Sequence, residues 1–230
     1  SMCFGLSAIR FALYSKWEYA VLCIFISALL DMMDGKVARL LDQSSSFGLE
    51  LDSLSDLVCF GVAPAIVTYL ISMSYMGKTG WGACMFFAVC CAFRLARFNA
   101  AHMFTEKVTD LDRKFFTGVP APAGAIMALF PLMTFFVTNN YAFLAPVFVG
   151  FFLVISGMLM ISTCRTFSSK MIEIDSSNAW IALAVIAALI IGLITKLWTC
   201  LLFLTLLYIL LIPCGVYQYS RMNKEKAAEK

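Results

Sequence analysis

The amino-acid sequence predicts an all-α polytopic membrane protein with about eight transmembrane helices. Hydrophobic residues make up 62% of the 230 residues and charged residues only 13%, whereas soluble domains are nearer half apolar and a quarter charged. Several windows contain about 18 or more mostly apolar residues, the length that a helix needs to cross a bilayer. Because lipid offers the backbone no hydrogen-bond partner, we expect these windows to be helical.

The apolar windows predict helical spans at about 2–14, 18–41, 47–75, 80–101, 119–138, 141–162, 178–195 and 197–218. Turn signals such as "GKTG" at 77–80 join some spans directly, whereas longer polar joints occupy 42–46, 102–118 and 163–177. We expect a single membrane-embedded domain over residues 1–230, with a basic tail at 219–230. The first span begins with no leader before it, so we expect the natural N-terminus to be longer.

The distribution of positive charge predicts the orientation of the chain. Thirteen of the 17 Lys and Arg residues lie in the longer joints, their flanking helix ends and the tail, and three lie in the short turns. By the positive-inside rule, the longer joints and both termini face the cytoplasm, as in a multi-pass protein of the cell's inner membrane. The net charge of +3 gives no indication of a nucleic-acid partner. The nine cysteines form no C-x-x-C pair, so we interpret them as reduced packing residues rather than zinc ligands.

Four aspartates lie at the cytoplasmic end of the second and third predicted helices, in "DMMDGKVARLLDQSSSFGLELDSLSD". Asp31 and Asp34 are three residues apart, and Asp52 and Asp56 are four apart, so each pair shares a helix face. Only the short joint "DQSSS" separates the two helices, which must therefore pack antiparallel. We expect the four carboxylates to converge near the membrane surface.

Such a cluster needs positive charge, because an aspartate at the centre of a bilayer helix costs about 2.5–3.5 kcal/mol and like charges repel. Lys36 and Arg39 are too few to neutralise four acids. Two divalent cations, Mg²⁺ or Mn²⁺, about 3.5–4 Å apart would balance the charge and form a phosphoryl-transfer site. Gly35 and Gly48 allow a close approach, Arg39 suits a phosphate, and Ser45 offers a loop hydroxyl.

The pattern D-x-x-D-G-x-x-A-R-x8-G-x-x-x-D-x-x-x-D resembles the signature of the CDP-alcohol phosphotransferases, with no departure at its eight fixed positions: Asp31, Asp34, Gly35, Ala38, Arg39, Gly48, Asp52 and Asp56. The resemblance implies that the acids hold two divalent metals, which clamp the diphosphate of a CDP-linked donor. It further implies that Asp31 and Asp52 bridge both metals, that Asp34 completes one, and that Asp56 serves the second and acts as the base. The CDP part would be held by Gly35, Ala38, Arg39, Ser45 and Gly48.

Outer stretches are similar to the bacterial membrane-embedded phosphatidylserine synthases within that family, notably "FRLARFN" at 93–99, "FFTGVPAPAGA" at 115–125 and "STCRTFSSK" at 162–170. This resemblance implies phosphatidyl transfer from CDP-diacylglycerol to L-serine, with membrane lipids around the chain and a homodimer as the assembly. Candidate residues for binding the acceptor serine are Arg94, Arg97, Asn99, Arg165 and Lys170. Arg94 and Arg97 are three apart and can point into one cleft to clamp a carboxylate; alternatively they mark the membrane boundary and bind lipid phosphates.

Two other functions remain open at this point. A sister phosphotransferase would use another alcohol, such as glycerol phosphate or inositol phosphate, and would need a denser basic pocket. A cation-coupled transporter would also carry intramembrane acids, but such folds usually contain repeated halves with a site near the midplane. The sequence contains one acidic cluster, at one edge, and no visible second half.

Overall fold

The computed structural model describes residues 1–40, 46–103, 115–162, 165–167 and 179–228, where the chain is almost entirely helical. In chain order the elements are α1 (Met2–Leu13), α2 (Trp17–Leu40), α3 (Ser46–Asp56), a π-helical turn (Leu57–Val62), α4 (Ala63–Ile71), a 3-10 turn (Met73–Met76), α5 (Lys78–Met103), β1 (Phe115–Thr117), α6 (Ala121–Ala128), α7 (Phe130–Thr138), a 3-10 turn (Tyr141–Leu144), α8 (Pro146–Ile161), β2 (Arg165–Phe167), α9 (Ala179–Thr195) and α10 (Leu197–Ala228). The predicted helical architecture is confirmed, and one short β-ribbon is added to it.

Length and apolar composition identify the helices that are able to cross a bilayer. Among the described residues, Phe47–Ile71 and Lys78–Ala100 each qualify as a span, and α6 with α7 qualifies as a third if the bent pair is counted as one. Three shorter apolar helices accompany them, at Met2–Leu13, Pro146–Ile161 and Leu197–Pro213. The chain is therefore a helical membrane protein, and the number of eight spans stays a prediction.

Two of the predicted helices differ from the observed ones for clear physical reasons. The predicted helix at 119–138 is broken at Leu129, where α6 and α7 meet at 44°. Pro131 lies in the first turn of α7, where its missing N–H and its ring are tolerated but would disrupt a helix continuing from α6. The last helix runs to Ala228 rather than 218, because "RMNKEKAA" consists mostly of strong helix formers.

The third predicted helix contains a π-helical turn at Leu57–Val62, immediately after Asp56. Cys59, Phe60 and Gly61 are buried in this turn. A Cβ added to Gly61 would lie 3.2 Å from the Cβ of Cys91 on α5, so the glycine lets the two helices approach closely at this level. Single π-turns inside α-helices often occur beside functional sites, and this one follows an aspartate of the predicted site.

The core lies between helix pairs that pack along their lengths. Helix α5 packs along α8, α1 along α2, and α6 also lies against α8, while α10 contacts α7 and β2. Large apolar side chains from five of these elements are completely buried, among them Ile24, Phe60, Phe87, Leu132 and Leu153. Burial of a side chain of this size contributes about 1.5–3 kcal/mol, so the core fixes the relative positions of the helices that carry the predicted site.

A two-stranded antiparallel ribbon connects the segment before α6 with the segment after α8. Residues Phe115, Phe116 and Thr117 of β1 pair with Phe167, Thr166 and Arg165 of β2. After β1, Gly118 has a φ of +79° and its backbone lies so close to α8 that an added Cβ would be 2.7 Å from the Met160 carbonyl oxygen. Glycine is required at this position on both counts. The ribbon brings together two of the stretches on which the family resemblance rests.

Candidate active site

Three of the four predicted aspartates form a compact acidic cluster. Asp31 on α2 and Asp52 and Asp56 on α3 each offer a carboxylate oxygen, and these oxygens all lie within 4.8 Å of one another. The Asp31 and Asp56 carboxyl groups are hydrogen-bonded to each other. Asp52 is exposed, and the other two are partly buried. The predicted convergence of α2 and α3 at their acidic ends is therefore observed for Asp31, Asp52 and Asp56.

Hydrogen bonds of the N-terminal segment fix the second helix beside the third. The Ser1 hydroxyl lies 2.7 Å from the Ser27 hydroxyl, one helical turn before Asp31. The Cys59 thiol, in the π-helical turn, donates to the Ser1 carbonyl oxygen at 3.5 Å. The start of α1 thus bridges α2 and the segment that follows Asp56. Asp31 and Asp56 are held together by this bridge as well as by their own hydrogen bond.

A cavity of about 350 Å³ opens at the cluster. Its lining comprises Ser1, Met2, Asp31, Gly48, Leu51, Asp52 and Ser55. Two of the clustered carboxylates and the predicted donor-binding Gly48 therefore line one cavity, together with two apolar side chains. This mixture of acidic, hydroxyl and apolar groups suits a ligand that is polar at one end and apolar at the other.

The donor set of the cluster fits divalent cations. Carboxylate oxygens are the preferred ligands of Mg²⁺ and Mn²⁺, and oxygens within 4.8 Å of one another are close enough to ligate a shared ion. Three ionised carboxylates at this spacing would otherwise repel one another. Arg94 on α5 lies near enough to Asp56 to attract it electrostatically, but a single guanidinium does not balance three acids.

The remaining predicted metal and donor residues fall partly outside the described structure. Asp34, Gly35, Ala38 and Arg39 belong to α2, and their side chains lie outside the described residues, as does Ser45 altogether. Their placement in the site stays a prediction. Glu50, another acid in the same stretch, is exposed on α3 and is not part of the acidic cluster.

The predicted acceptor residues on α5 have different environments. Arg97 donates from Nη1 to the Ile161 carbonyl oxygen at 2.7 Å and from Nη2 to the Ser162 carbonyl oxygen at 3.3 Å, so its guanidinium caps the C-terminal end of α8. Arg94 is partly buried, and its Nε is buried without a hydrogen-bond partner. The two arginines, three residues apart, therefore hold different positions in the site.

Asn99, the third predicted acceptor residue on α5, is tied to the acidic helix. The Ser53 hydroxyl donates to the Asn99 Oδ1 at 3.0 Å and lies 3.1 Å from the Leu49 carbonyl oxygen. Ser53 immediately follows Asp52, so this bond positions α5 against the helix that carries the cluster. Of the other two candidates, Arg165 belongs to β2 with its side chain outside the described residues, and Lys170 lies outside them altogether.

Comparison with known sequences decides the family. Residues 1–161 match the family described as CDP-alcohol phosphatidyltransferase. The chain belongs to the CDP-alcohol phosphatidyltransferase family. The matched region includes all four aspartates, the cavity and α5.

Several curated relatives are named CDP-diacylglycerol–serine O-phosphatidyltransferase. This chain is 36% identical to the one from Helicobacter pylori over 171 residues, covering 72% of this chain and 67% of that protein. It is 46% identical over 129 residues to the Mycobacterium leprae protein, covering 56% of this chain and 42% of the relative. It is 39% identical over 129 residues to the Saccharomyces cerevisiae protein, covering 54% and 45%. The chain thus spans less than half the length of several curated relatives that it matches.

Some residues of this family member's site were not anticipated from the sequence. Ser53 has no local signal, because its partner Asn99 is 46 residues away. Ser1, Met2, Leu51 and Ser55 line the cavity, but small or apolar side chains in apolar helices do not stand out. Tyr208, whose hydroxyl is buried without a partner, did carry a signal, since it is an isolated phenol inside the apolar run "LLFLTLLYILLIP".

Proposed function

We propose that this chain transfers the phosphatidyl group of CDP-diacylglycerol to the hydroxyl of L-serine, giving phosphatidylserine and CMP. The observation that carries the proposal is the cluster of the Asp31, Asp52 and Asp56 carboxylates. Two of them, Asp31 and Asp52, line a cavity, and the chain belongs to the CDP-alcohol phosphatidyltransferase family. Relatives at 34–46% identity that bear the serine transferase name support serine as the acceptor.

Asp31, Asp34, Asp52 and Asp56 are the residues that would hold two divalent cations, Mg²⁺ or Mn²⁺. When bound, these cations supply positive charge to the diphosphate oxygens of the donor and to the charge that develops on them. The acidic cluster supports this assignment, because its oxygen ligands match the preference of both ions.

Asp56 is the proposed general base. It accepts the proton of the serine hydroxyl, whose oxygen then bonds to the β-phosphorus of the donor. The bond from that phosphorus to the bridging oxygen breaks, and CMP leaves with the oxygen and its electron pair. The position of Asp56 supports this role, since it is partly buried and adjacent to both the other acids and Arg94.

The two ends of the donor call for different surroundings. We assign the CDP part to Gly35, Ala38, Arg39, Ser45 and Gly48, where a guanidinium, a hydroxyl and glycine backbone suit phosphate and ribose oxygens. Met2 and Leu51, which line the same cavity, suit the glycerol and acyl end. In this arrangement the nucleotide stays on the aqueous side, and the lipid tails leave between helices.

For the acceptor, we assign Arg94 to the serine carboxylate. In serine the hydroxyl-bearing carbon is bonded directly to the carbon that carries the carboxylate, so the base and the carboxylate-binding group must be neighbours. Arg94 lies in electrostatic range of Asp56, which meets that requirement. We assign Arg97 a positioning role at the end of α8, while Asn99, Arg165 and Lys170 remain candidates for the rest of the acceptor site.

The proposed enzyme lies in the inner membrane with its active site and both termini on the cytoplasmic side. The excess of Lys and Arg in the longer joints supports this orientation. We further propose a homodimer formed through apolar faces of the third and fourth predicted helices. Exposed side chains such as Leu54 on α3 and Phe93 on α5 are available for such an interface.

The test is a transfer assay on the purified full chain in lipid vesicles with CDP-diacylglycerol and labelled alcohols. We expect serine to be incorporated, CMP to be released in equal amount, and both to stop on addition of a chelator and resume with Mg²⁺ or Mn²⁺. Incorporation of glycerol phosphate or inositol phosphate instead of serine would show a sister phosphotransferase. Movement of ions across the vesicle membrane without CMP release would show a transporter.

A further inference from the structure

One buried polar group, the Tyr208 hydroxyl on α10, has no role in the arrangement described so far, and it lies beside Arg94 of α5. Among the described residues, only three buried side-chain polar atoms have no hydrogen-bond partner: Arg94 Nε, Ser156 Oγ and the Tyr208 hydroxyl. Arg94 and Tyr208 lie close enough to interact electrostatically, and Arg94 interacts in the same way with Asp56. Two unpartnered hydrogen-bond donors are thus neighbours at the edge of the proposed site.

The contrast with another hydroxyl on the same helix shows that the lack of a partner at Tyr208 is unusual. Thr205, one turn earlier on α10, is buried and donates back to the Leu201 carbonyl oxygen at 2.8 Å. The Tyr208 hydroxyl is too far from its own backbone to do this, and it reaches no acceptor. Buried polar groups in native proteins are nearly always hydrogen-bonded, so an exception calls for an explanation such as a ligand.

We propose that Tyr208 is a specificity-determining residue for the acceptor alcohol, and that its hydroxyl and Arg94 Nε donate together to the acceptor's carboxylate. Arg94 Nε can only donate and the Tyr208 hydroxyl can donate as well, so a ligand with two acceptor oxygens satisfies both groups, and a carboxylate offers two in one plane. This inference rests on the proposed function and adds to it the residue that recognises the acid group of the acceptor.

The charge of the pair favours a carboxylate over a phosphate. One guanidinium and one neutral phenol match a single negative charge, whereas a phosphate monoester carries nearly two. Arg97, one turn further along α5, already donates from two nitrogen atoms to carbonyl oxygens of α8. With its carboxylate bound at Arg94 and Tyr208, the acceptor has its hydroxyl near Asp56, as the proposed reaction requires.

The experiment compares the wild-type protein with Tyr208→Phe, which keeps the ring packing and removes only the hydroxyl. KM and kcat are measured for serine, for serinamide, which lacks the negative charge, and for CDP-diacylglycerol. We expect the KM for serine to rise about 10- to 100-fold, as for loss of a hydrogen bond to a charged group. We expect the KM for CDP-diacylglycerol to stay within about twofold, and the preference for serine over serinamide to fall. The matched control is Thr205→Val, which removes a buried hydroxyl one turn away and should leave all three KM values unchanged.

The outcomes separate this inference from the proposed function. If wild-type protein uses serine but Tyr208→Phe keeps both its KM for serine and its preference over serinamide, the role of Tyr208 is wrong and the function stands. If wild-type protein uses no carboxylate-bearing alcohol, the proposed function and this inference fall together. If Tyr208→Phe does not purify as folded protein, the same KM values are measured for Tyr208→Leu, and the wild-type protein is compared on serine and serinamide. A wild-type preference for serine over serinamide below about threefold overturns the inference.

Discussion

Replacing Asp52 by Asn tests the acidic cluster through two effects of opposite sign. Two unit charges 4.8 Å apart repel by about 3 kcal/mol at an effective dielectric constant near 20 and by about 1 kcal/mol in bulk water. Because Asp52 is exposed, its repulsion with each ionised neighbour belongs nearer the lower value. The hydrogen bond between Asp31 and Asp56 requires one of the two to carry a proton, so Asp52 has one ionised neighbour when metal is absent. Without metal, Asp52→Asn should therefore be more stable than wild type by about 1 kcal/mol, or a few degrees in Tm.

With metal bound, the wild-type protein should become more stable than Asp52→Asn. At a concentration of 100 times Kd, a divalent ion stabilises the wild-type protein by about 2.7 kcal/mol, and Asp52→Asn should lose most of this gain. Loss of a ligand should also lower CMP release by more than about 100-fold, since even groups that only support ligands contribute 10- to 100-fold.

The assay is thermal unfolding in detergent at rising Mg²⁺ or Mn²⁺, after treatment with a chelator, together with CMP release in vesicles. Glu50→Gln is the matched control, because it removes one acid two residues away on the same helix but outside the cluster. It should change neither the metal-induced rise in Tm nor the activity by more than a small amount. A wild-type metal response in Asp52→Asn, or full activity, would refute the reasoning that these carboxylates share an ion.

Three further predictions concern the scaffold around the site. Ser53→Ala removes the hydrogen bond to Asn99, so it should lower the free energy of unfolding by about 1 kcal/mol and raise the KM for serine. An unfolding measurement checks the first effect, and steady-state kinetics check the second. Gly118→Ala should destabilise the protein by about 1–3 kcal/mol, because alanine is strained at a φ of +79° and its Cβ would contact a carbonyl oxygen. Phe116→Cys with Thr166→Cys should form a disulfide on mild oxidation, detected by mass spectrometry, because the two residues are paired across the ribbon.

Each of these three has a control within the chain. The control for Ser53→Ala is Thr195→Val. The Thr195 hydroxyl donates to the Ile191 carbonyl oxygen within the same exposed helix, so its removal should leave the KM for serine unchanged. For Gly118→Ala it is Gly82→Ala on α5, where an added Cβ meets nothing within 4 Å and alanine should stabilise the helix slightly. Equal cost at both glycines would contradict the strain argument.

For the ribbon, the control pairs Phe116→Cys with Phe167→Cys, one residue out of register. Neighbouring residues of a strand point to opposite faces, so this pair should cross-link more slowly. Equal rates for the two pairs would contradict the observed register.

The helical bundle was predictable from the sequence because lipid leaves the backbone few options. Long apolar windows locate the helices, and the turn at Gly77 and the polar joints locate most of their ends. The break at Leu129 was not predicted, because residues 119–138 form one continuous apolar window and a single proline, Pro131, barely changes its mean hydropathy. The ribbon was missed because Phe115–Thr117 and Arg165–Phe167 are too short to show a strand pattern, and only their pairing defines them.

For the site, the sequence predicted which acids converge. It did not predict that Arg94 and Arg97 would contact different partners. Asp31, Asp52 and Asp56 follow from helix periodicity and a short joint, both of which are local. The spacing of Arg94 and Arg97 indicated that both can point into one cleft, and left open that they mark the membrane boundary instead. The contacts of Arg97 with Ile161 and Ser162 depend on where α8 ends in space, 64 and 65 residues further on, and no local pattern contains that information.

The π-helical turn after Asp56 has a consequence for the rotation of the long helix at Phe47–Ile71. Each residue of an α-helix turns the chain by about 100°, so the wider turn lets α3 and α4 present differently oriented faces. Upstream of it, α3 places Asp52 at the cavity and Asp56 against Asp31. Downstream, α4 buries residues such as Ala63 and Val67 in the apolar interior. Shortening the turn by one residue would leave both halves helical but rotate the carboxylates away from Asp31, so the ion-binding geometry depends on the length of this segment as well as on the acids themselves.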